Sequence, residues 1–174
     1  MDERYYIQID VLDKIDELLE NFKEYNPKIF SNSDEGYDWI EEDFSRCLVI
    51  ENPYYDESIE LNIGDGGEFC LFFGKNHSHY SAYQLDYDVM VEKIKAILKN
   101  EACAGYLTDT NGKWYGSGFY KIEEINNAPK DVFDHVFKIK EFYNKLTNFG
   151  YVAEYYFWNP KDNKTVEISQ KHHS

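Results

Sequence analysis

Two histidines separated by one residue are the side chains of this sequence with the clearest capacity for chemistry. His77 and His79 stand in the stretch HSHY (77–80), which follows an apolar run after the three residues GKN. On an extended backbone, residues two apart face the same side, so both imidazoles could share a metal ion. The alternative interpretation is a loop whose histidines hydrogen-bond the end of a sheet or take part in an interface. The carboxylates considered as a third ligand are those of Asp65, Glu68 and Asp86.

Motifs for other kinds of catalysis are missing from the sequence. The nucleophile motif GxSxG is absent, and the GSG at residues 116–118 has neither its spacing nor a strand-to-helix position. The glycine-rich residues 64–67 do not precede a predicted helix, as a phosphate-binding loop would. The sequence therefore predicts a protein without catalytic residues and without a cofactor.

The cysteines indicate the compartment. Cys47, Cys70 and Cys103 are far apart, and each lies within an apolar run, which is typical of buried thiols in a reducing environment. A structural zinc site needs close pairs such as CxxC, which the chain lacks. The N-terminus has no apolar signal segment, and no apolar run reaches the ~18 residues of a membrane span. These features predict a cytoplasmic protein that does not enter a membrane.

Charge is distributed very unevenly along the chain. The formal net charge of −15 belongs entirely to residues 1–68, which hold 20 Asp and Glu against five Lys and Arg. The other residues hold 13 of each sign. A field of this sign repels nucleic acid and anionic membranes, and it attracts a basic protein partner. The alternative is a solvated acidic surface that only keeps the protein in solution.

The densest acidic stretch lies within residues 33–45 and is interleaved with aromatic residues. Six carboxylates within ten residues repel one another, and a cationic partner would relieve that repulsion. Aromatic side chains beside them are suitable anchors for an interface. The partner-binding residues predicted on these grounds are Asp34, Glu35, Tyr37, Asp38, Trp39, Glu41, Glu42, Asp43 and, further along the chain, Tyr80.

Hydrophobic spacing predicts four helices that would position these residues. Apolar side chains recur at steps of three and four in residues 10–25, where Asp10 is the expected N-cap. A short helix over residues 33–45 would bury Tyr37, Ile40 and Phe44. The other two helices are predicted at residues 86–99 and 130–147. The second of these also alternates in strand fashion, so helix and strand both stay open for it.

Alternating and apolar runs predict the strands. They lie at residues 46–51, 59–63, 68–73, 102–108, 113–122, 151–158 and 164–169. Residues 65–67 and 109–112 carry the sequences of tight hairpin turns. The run over residues 68–73 is almost wholly apolar, which predicts a central strand buried on both faces. We therefore expect a single α+β domain over residues 1–174, with a mainly antiparallel sheet of about six strands and three or four helices packed mostly on one face.

A short series of motifs resembles a group of small acidic bacterial proteins. FFG at residues 72–74 leads to HSHY and then to Asp86 and Tyr87 at the start of a predicted helix. GKW at residues 112–114 follows, with GS at residues 116–117. In this order the motifs are similar to those of immunity proteins encoded beside polymorphic or contact-dependent toxins. The resemblance covers residues 59–118 and leaves out the acidic first 58 residues.

The resemblance implies a non-enzymatic cytosolic inhibitor that binds one cognate toxin. Nuclease toxins are often basic because they must hold nucleic acid, and an acidic inhibitor would associate with them quickly. The residues that would steer the partner are Asp38, Glu41, Glu42 and Asp43, and those that would anchor it are Trp39, Tyr37 or Tyr80. The alternatives are a small metal-dependent enzyme that uses His77 and His79, and an intracellular regulatory or scaffold module without a toxin partner.

Overall fold

The protein forms two compact units. The structure is a computed structural model that describes residues 3–41, 43–64 and 67–169. The first unit contains the described chain up to Phe73 together with His77–Lys95, and the second contains Gly74–Asn76 and the described chain from Ala96. The expectation of one domain over residues 1–174 stays a prediction.

An antiparallel sheet of five strands is the frame of the first unit. Its strands are β1 (Lys28–Phe30), β2 (Arg46–Ile50), β3 (Ile59–Ile63), β4 (Phe69–Phe73) and β5 (Asn76–Tyr80). Each strand pairs with the next one along the chain, so β1 and β5 are the two edges. In the turn after β3, the amide of Gly67 donates to the carbonyl of Gly64 at 2.9 Å. Asp65 and Gly66 of this predicted turn lie outside the described residues.

Because side chains alternate along each strand, those on one face of this sheet are buried in a core. Leu48, Leu61 and Leu71 lie opposite one another in register, and all three are fully buried. Along β4 the odd-numbered residues are buried, whereas Cys70 and Phe72 are only partly buried. The strand is internal to the sheet, as predicted, but the expectation that both of its faces are buried is wrong. Its second face carries polar neighbours from β3 and β5.

The two predicted helices at residues 10–25 and 86–99 are present. The first is divided into α1 (Ile15–Asn21) and 3₁₀ turns at Leu12–Lys14 and Lys23–Tyr25. The Asp10 carboxylate accepts a hydrogen bond from the Leu12 amide at 3.0 Å, which places Asp10 at the start of the helical segment. The second is α2 (Gln84–Leu98), whose apolar side is buried as expected. The Tyr87 ring on that side lies 5.6 Å from the ring of Phe69.

A second antiparallel sheet, of four strands, organises the second unit. Its strands are β6 (Ala102–Asp109), β7 (Trp114–Lys121), β8 (Tyr151–Tyr156) and β9 (Lys164–Ile168), in the order β7-β6-β8-β9. The predicted turn at residues 109–112 is confirmed, because the amide of Gly112 donates to the carbonyl of Asp109 at 3.0 Å. Gly112 has a φ of +83°, a conformation that glycine adopts readily.

Three short helices replace the single predicted helix over residues 130–147. They are α3 (Pro129–Val132), α4 (Asp134–Phe137) and α5 (Lys140–Phe149). Phe133 stands at the break between α3 and α4 with ψ of 37°, and its ring is fully buried against Tyr120 and Tyr155. The helix is interrupted at Phe133, whose ring is buried. Because the stretch is not one continuous helix, the spacing of its apolar residues is irregular.

Two predictions for the first unit are wrong. Residues 33–41 and 43–45 form turns and bends rather than a short helix. Gly36 there has a φ of +85°, and the Asp34 carboxylate accepts a hydrogen bond from the amide of Ser31, three residues earlier. The stretch HSHY, expected to be a loop, is most of strand β5, because a two-residue turn at residues 74–75 brings it back alongside β4.

The α+β class is confirmed, although the strand count differs. The described residues form nine strands in two sheets and five α-helices. The additional strands are β1, which has only three residues, and β5, whose polar residues do not resemble a buried strand. Strands that precede α2 pair with one another, and so do those that follow it, which gives two sheets instead of one. None of the helices in the described chain is long and apolar enough to span a membrane.

Candidate functional site

One face of the first sheet carries both groups of residues that the sequence singles out. Its side chains form two rows across the strands. The first row contains Phe30, Cys47, Asn62 and Cys70, with His79 beside Cys70. The second row contains Lys28, Val49, Glu60 and Phe72, with His77 beside Phe72. We call the surface formed by these two rows the histidine face.

Residues 31–45, which we call the acidic segment, connect β1 to β2 and fold over one side of the histidine face. The ring of Tyr37 stacks on that of Phe30, with 4.1 Å between centroids and 5° between planes. Ile40 is buried in a small cluster with Cys47 and Val49. These contacts hold the apolar side of the segment against the sheet. The polar side of the segment is therefore left to solvent.

Burial also affects the pKa values of two groups at the contact between the acidic segment and the sheet. Desolvation raises the pKa of the Tyr37 phenol, and the neighbouring Cys47 and Glu60 raise it further. Burial likewise raises the pKa of Cys47 to about 12. Both groups are therefore neutral near pH 7 and can serve as apolar contacts between the acidic segment and the sheet.

The described carboxylates of the acidic segment are exposed, and two of them accept hydrogen bonds from within the segment. Asp34 accepts hydrogen bonds from the amide of Ser31 at 2.7 Å and from its hydroxyl at 2.9 Å, and these bonds lower the pKa of Asp34. Asp43 accepts a hydrogen bond from the side chain of Asn32 at 2.8 Å. The other exposed carboxylates are Glu35, Asp38 and Glu41. Glu42, also predicted to bind a partner, lies outside the described residues.

Two aromatic side chains of the acidic segment project toward solvent. Trp39 is 47% exposed and Phe44 is 53% exposed, whereas Tyr37 is partly buried. The sequence pattern assigns Phe44 to the buried stripe of a helix, but it is exposed because the segment forms turns. Trp and Phe are among the residue types that are enriched at surfaces that bind another protein.

Tyr80 does not belong to this surface. It lies on β5, at the sheet edge opposite β1, so about 19 Å of sheet separates it from the start of the acidic segment. Alternation along β5 also places Tyr80 on the face opposite His79. Burial raises the pKa of its phenol, which agrees with an inward position. Tyr80 is thus the one predicted partner-binding residue in the described chain that the structure separates from the rest.

The two histidines face the same side of β5, as the spacing predicts. His77 stacks on Phe72, with 5.6 Å between ring centroids. His79 contacts two residues through its two ring nitrogens: Nδ1 lies 2.5 Å from Oε1 of Glu68, and Nε2 lies 3.8 Å from Sγ of Cys70. The two imidazole rings meet edge to face, 5.4 Å apart.

The structure does not arrange the proposed metal ligands around one point. In residues 3–41, 43–64 and 67–169, no group of three His, Cys, Asp or Glu side chains could hold a metal ion. Asp86, one of the proposed third ligands, accepts a hydrogen bond from the Ser81 amide at 3.2 Å, and Glu68 is bonded to His79. Asp65 lies outside the described residues.

Cys70 is the site residue that the sequence interpretation misses. The apolar run around it predicts full burial, as for Cys47 and Cys103, but the structure leaves it partly exposed beside His79. The signal that could have revealed this is spacing. A two-residue turn at residues 74–75 necessarily brings position 70 opposite position 79 in an antiparallel hairpin.

Comparison with known proteins finds no relative from which a function could be inferred. No family model matches the chain, and neither a curated protein nor a solved structure matches it. The resemblance to immunity proteins therefore stays a prediction. What remains is the geometry of the histidine face and of the acidic segment that covers part of it.

Proposed function

We propose that this is a non-enzymatic cytoplasmic binding protein that inhibits a basic protein toxin, as immunity proteins do, and that the acidic segment is its contact surface. The observation that carries the proposal is the division of this segment into two sides. Tyr37 and Ile40 are held against the sheet, whereas Trp39 and Phe44 project among the carboxylates. An acidic surface with exposed aromatic side chains suits a cationic partner that offers apolar contacts.

The charge of the chain supports a basic partner. Residues 1–68 carry the entire formal charge of −15. Such a field raises the local concentration of a basic protein. At low salt it increases the association rate by about 10- to 10³-fold. Nuclease toxins must carry basic surfaces to hold nucleic acid, so they fit this requirement well.

The internal bonds of the acidic segment favour tight binding. The bonds of Asp34 to Ser31 and of Asp43 to Asn32 order the loop before any partner arrives. Order that already exists in the free protein does not have to be created on binding, which would otherwise cost about 0.5–1.5 kcal/mol for each side chain immobilised. Trp39 would then supply the buried aromatic contact that dominates many interfaces.

The proposal is tested by binding to the product of the gene that neighbours this one, expressed as a candidate toxin. The purified toxin is titrated with this protein by calorimetry, and growth of cells that express the toxin is measured with and without it. We expect binding that protects the cells, and we expect Trp39→Ala to weaken the affinity by tenfold or more. The matched control is Trp114→Ala, which removes a Trp of similar exposure from the second unit. Equal losses for both variants, or no binding at all, would contradict the proposal.

A further inference from the structure

A second feature of the histidine face lies away from the acidic segment. Cys70, His79 and Glu68 are in contact in that order: Sγ to Nε2 at 3.8 Å, and Nδ1 to Oε1 at 2.5 Å. A carboxylate accepts a hydrogen bond only from a protonated Nδ1, so in the neutral ring Nε2 carries the lone pair that faces the thiol. A thiol, a base and a carboxylate that orients the base are the parts of an activated nucleophile.

We propose that Cys70, His79 and Glu68 form a nucleophile–base–carboxylate triad, which makes Cys70 the site at which this protein is covalently modified by small soft electrophiles, hydroperoxides in particular. This goes beyond the proposed binding function and does not depend on it. His79 takes the proton of the thiol, and Glu68 is a positioning residue that fixes the ring.

Exposure of the triad determines which reagents reach it. The side chains of His79 and Glu68 are 56% and 37% exposed, and Cys70 is partly exposed. Cys70 and His79 project from β4 and β5 on the histidine face, and Glu68 directly precedes β4. Their partial exposure admits a small dissolved electrophile. Cys47 and Cys103, by contrast, are fully buried.

Charged and polar neighbours of Cys70 come from β3, from β5 and from the residue that precedes β4. Glu68 precedes it on its own side of the hairpin, and His77 and His79 face it from β5. From β3, Asn62 lies directly opposite Cys70, and Glu60 lies two residues further along, opposite Phe72. His79 is the base in contact with the sulfur.

The reaction with hydrogen peroxide balances through the same groups. His79 accepts the thiol proton, and the resulting thiolate attacks one peroxide oxygen. An S–O bond forms as the O–O bond breaks, and the departing hydroxide takes the proton from His79 to become water. Sulfur is oxidised by two electrons to a sulfenic acid, and the peroxide is reduced.

Cys47, the other cysteine of the histidine face, is too far from Cys70 for the sulfenic acid to close an internal disulfide. The two residues are in the same row, but β3 lies between their strands, so their Cα atoms are about 10 Å apart. A disulfide needs Cα atoms within about 7 Å. The sulfenic acid of Cys70 can therefore form a disulfide only with a thiol from solution, such as a small-molecule thiol.

The test is the rate at which iodoacetamide alkylates Cys70 in the native full-length protein, measured by peptide mass spectrometry between pH 6 and 9 after treatment with a chelator. We expect Cys70 at pH 6.5 to react at least tenfold faster in the parent than in His79→Gln. The Glu68→Gln variant should have an intermediate rate and an altered pH profile. The matched control is His77→Gln, which removes the neighbouring imidazole that stacks on Phe72, and it should react like the parent.

Cys47 and Cys103 serve as internal controls in the same samples. They should remain unlabelled, which shows that each variant is folded. A parallel reaction with hydrogen peroxide, trapped with dimedone, should label Cys70 in the parent and much less in His79→Gln. The proposal is overturned if the two proteins react equally fast with both reagents, or if Cys70 in the folded parent resists both.

Discussion

The rings of Phe30 and Tyr37 lie parallel, 4.1 Å apart, and this stack determines which side of the acidic segment faces the sheet. Phe30 is the last residue of β1, and Tyr37 follows after a turn held by the bonds between Asp34 and Ser31. With Tyr37 fixed in this position, Ile40 reaches the cluster around Cys47 and Val49. The stack therefore supports the whole surface to which we assign binding.

Replacing Tyr37 should loosen the acidic segment. We expect Tyr37→Ala to reduce the free energy of unfolding by about 2–4 kcal/mol, because it removes a stacked and partly buried ring. Urea unfolding measures the change, and limited proteolysis should cut first within residues 31–45. Trp39→Ala is the control, and its exposed side chain should alter stability by less than ~0.5 kcal/mol. Equal effects of the two substitutions would show that the stack is not the anchor.

Asp34 should make stability depend on pH in the acid range. Hydrogen bonds from the amide and then the hydroxyl of Ser31 lower the pKa of Asp34 from its ordinary value of 3.8. Because the folded pKa is below the unfolded one, the stabilisation is complete above the ordinary value and is lost as the pH falls through the folded pKa. Asp34→Asn should thus be less stable than the parent at pH 6, and the difference should shrink below pH 3.8.

Urea titrations at a series of pH values measure this difference. The control is Ser31→Ala, which removes one of the two donors and should show a smaller effect of the same sign. A stability difference that stays constant between pH 6 and the acid range would contradict the assignment.

Cys47 should lower stability in alkaline solution. Burial raises its pKa from 9.0 to about 12, so the folded protein keeps the thiol protonated while the unfolded chain ionises. This contribution is present below pH 9 and is lost as the pH rises toward the folded pKa. At about pH 10.5 it should reach about 2 kcal/mol of lost stability, which Cys47→Ala should abolish. If parent and variant lose stability equally between pH 8 and 10.5, the thiol is not the cause.

Gly116 should be intolerant of a side chain because of α4. A Cβ built at this position would lie 2.5 Å from Cγ2 of Val136. We expect Gly116→Ala to cost about 1–3 kcal/mol. Combining it with Val136→Ala should recover part of this cost, since the smaller side chain leaves room. A double-mutant cycle measures the coupling, and strictly additive effects would show that the two residues do not compete for space.

Much of the fold follows from local patterns in the sequence. Strand β3 alternates apolar and polar residues, and its buried positions are those that the alternation predicts. Helix α2 carries a continuous apolar stripe, so the spacing of its residues predicts both its extent and its buried side. These elements are predictable because one dominant interaction, burial of a single face, determines their conformation.

The errors occur where side chains and turns override periodicity. The spacing of Tyr37, Ile40 and Phe44 resembles a helix, but the bonds of Asp34 to Ser31 and the conformation of Gly36 favour turns. Strand β5 could not be recognised from its own residues, since it is stabilised by pairing with β4. Only that pairing reveals the contact of Cys70 with His79.

The central claim, that the acidic segment recruits a basic toxin, is tested most directly by the association rate constant with that toxin as a function of salt. The variant Glu35→Gln/Asp38→Asn/Glu41→Gln removes three exposed charges from the segment, and Glu123→Gln/Asp131→Asn/Glu167→Gln removes three exposed charges from the second unit. We predict that the first variant associates at least tenfold more slowly at low salt and loses most of the salt dependence, whereas the second behaves like the parent. Equal rates for the two variants, or a parent rate that does not change with salt, would contradict the claim.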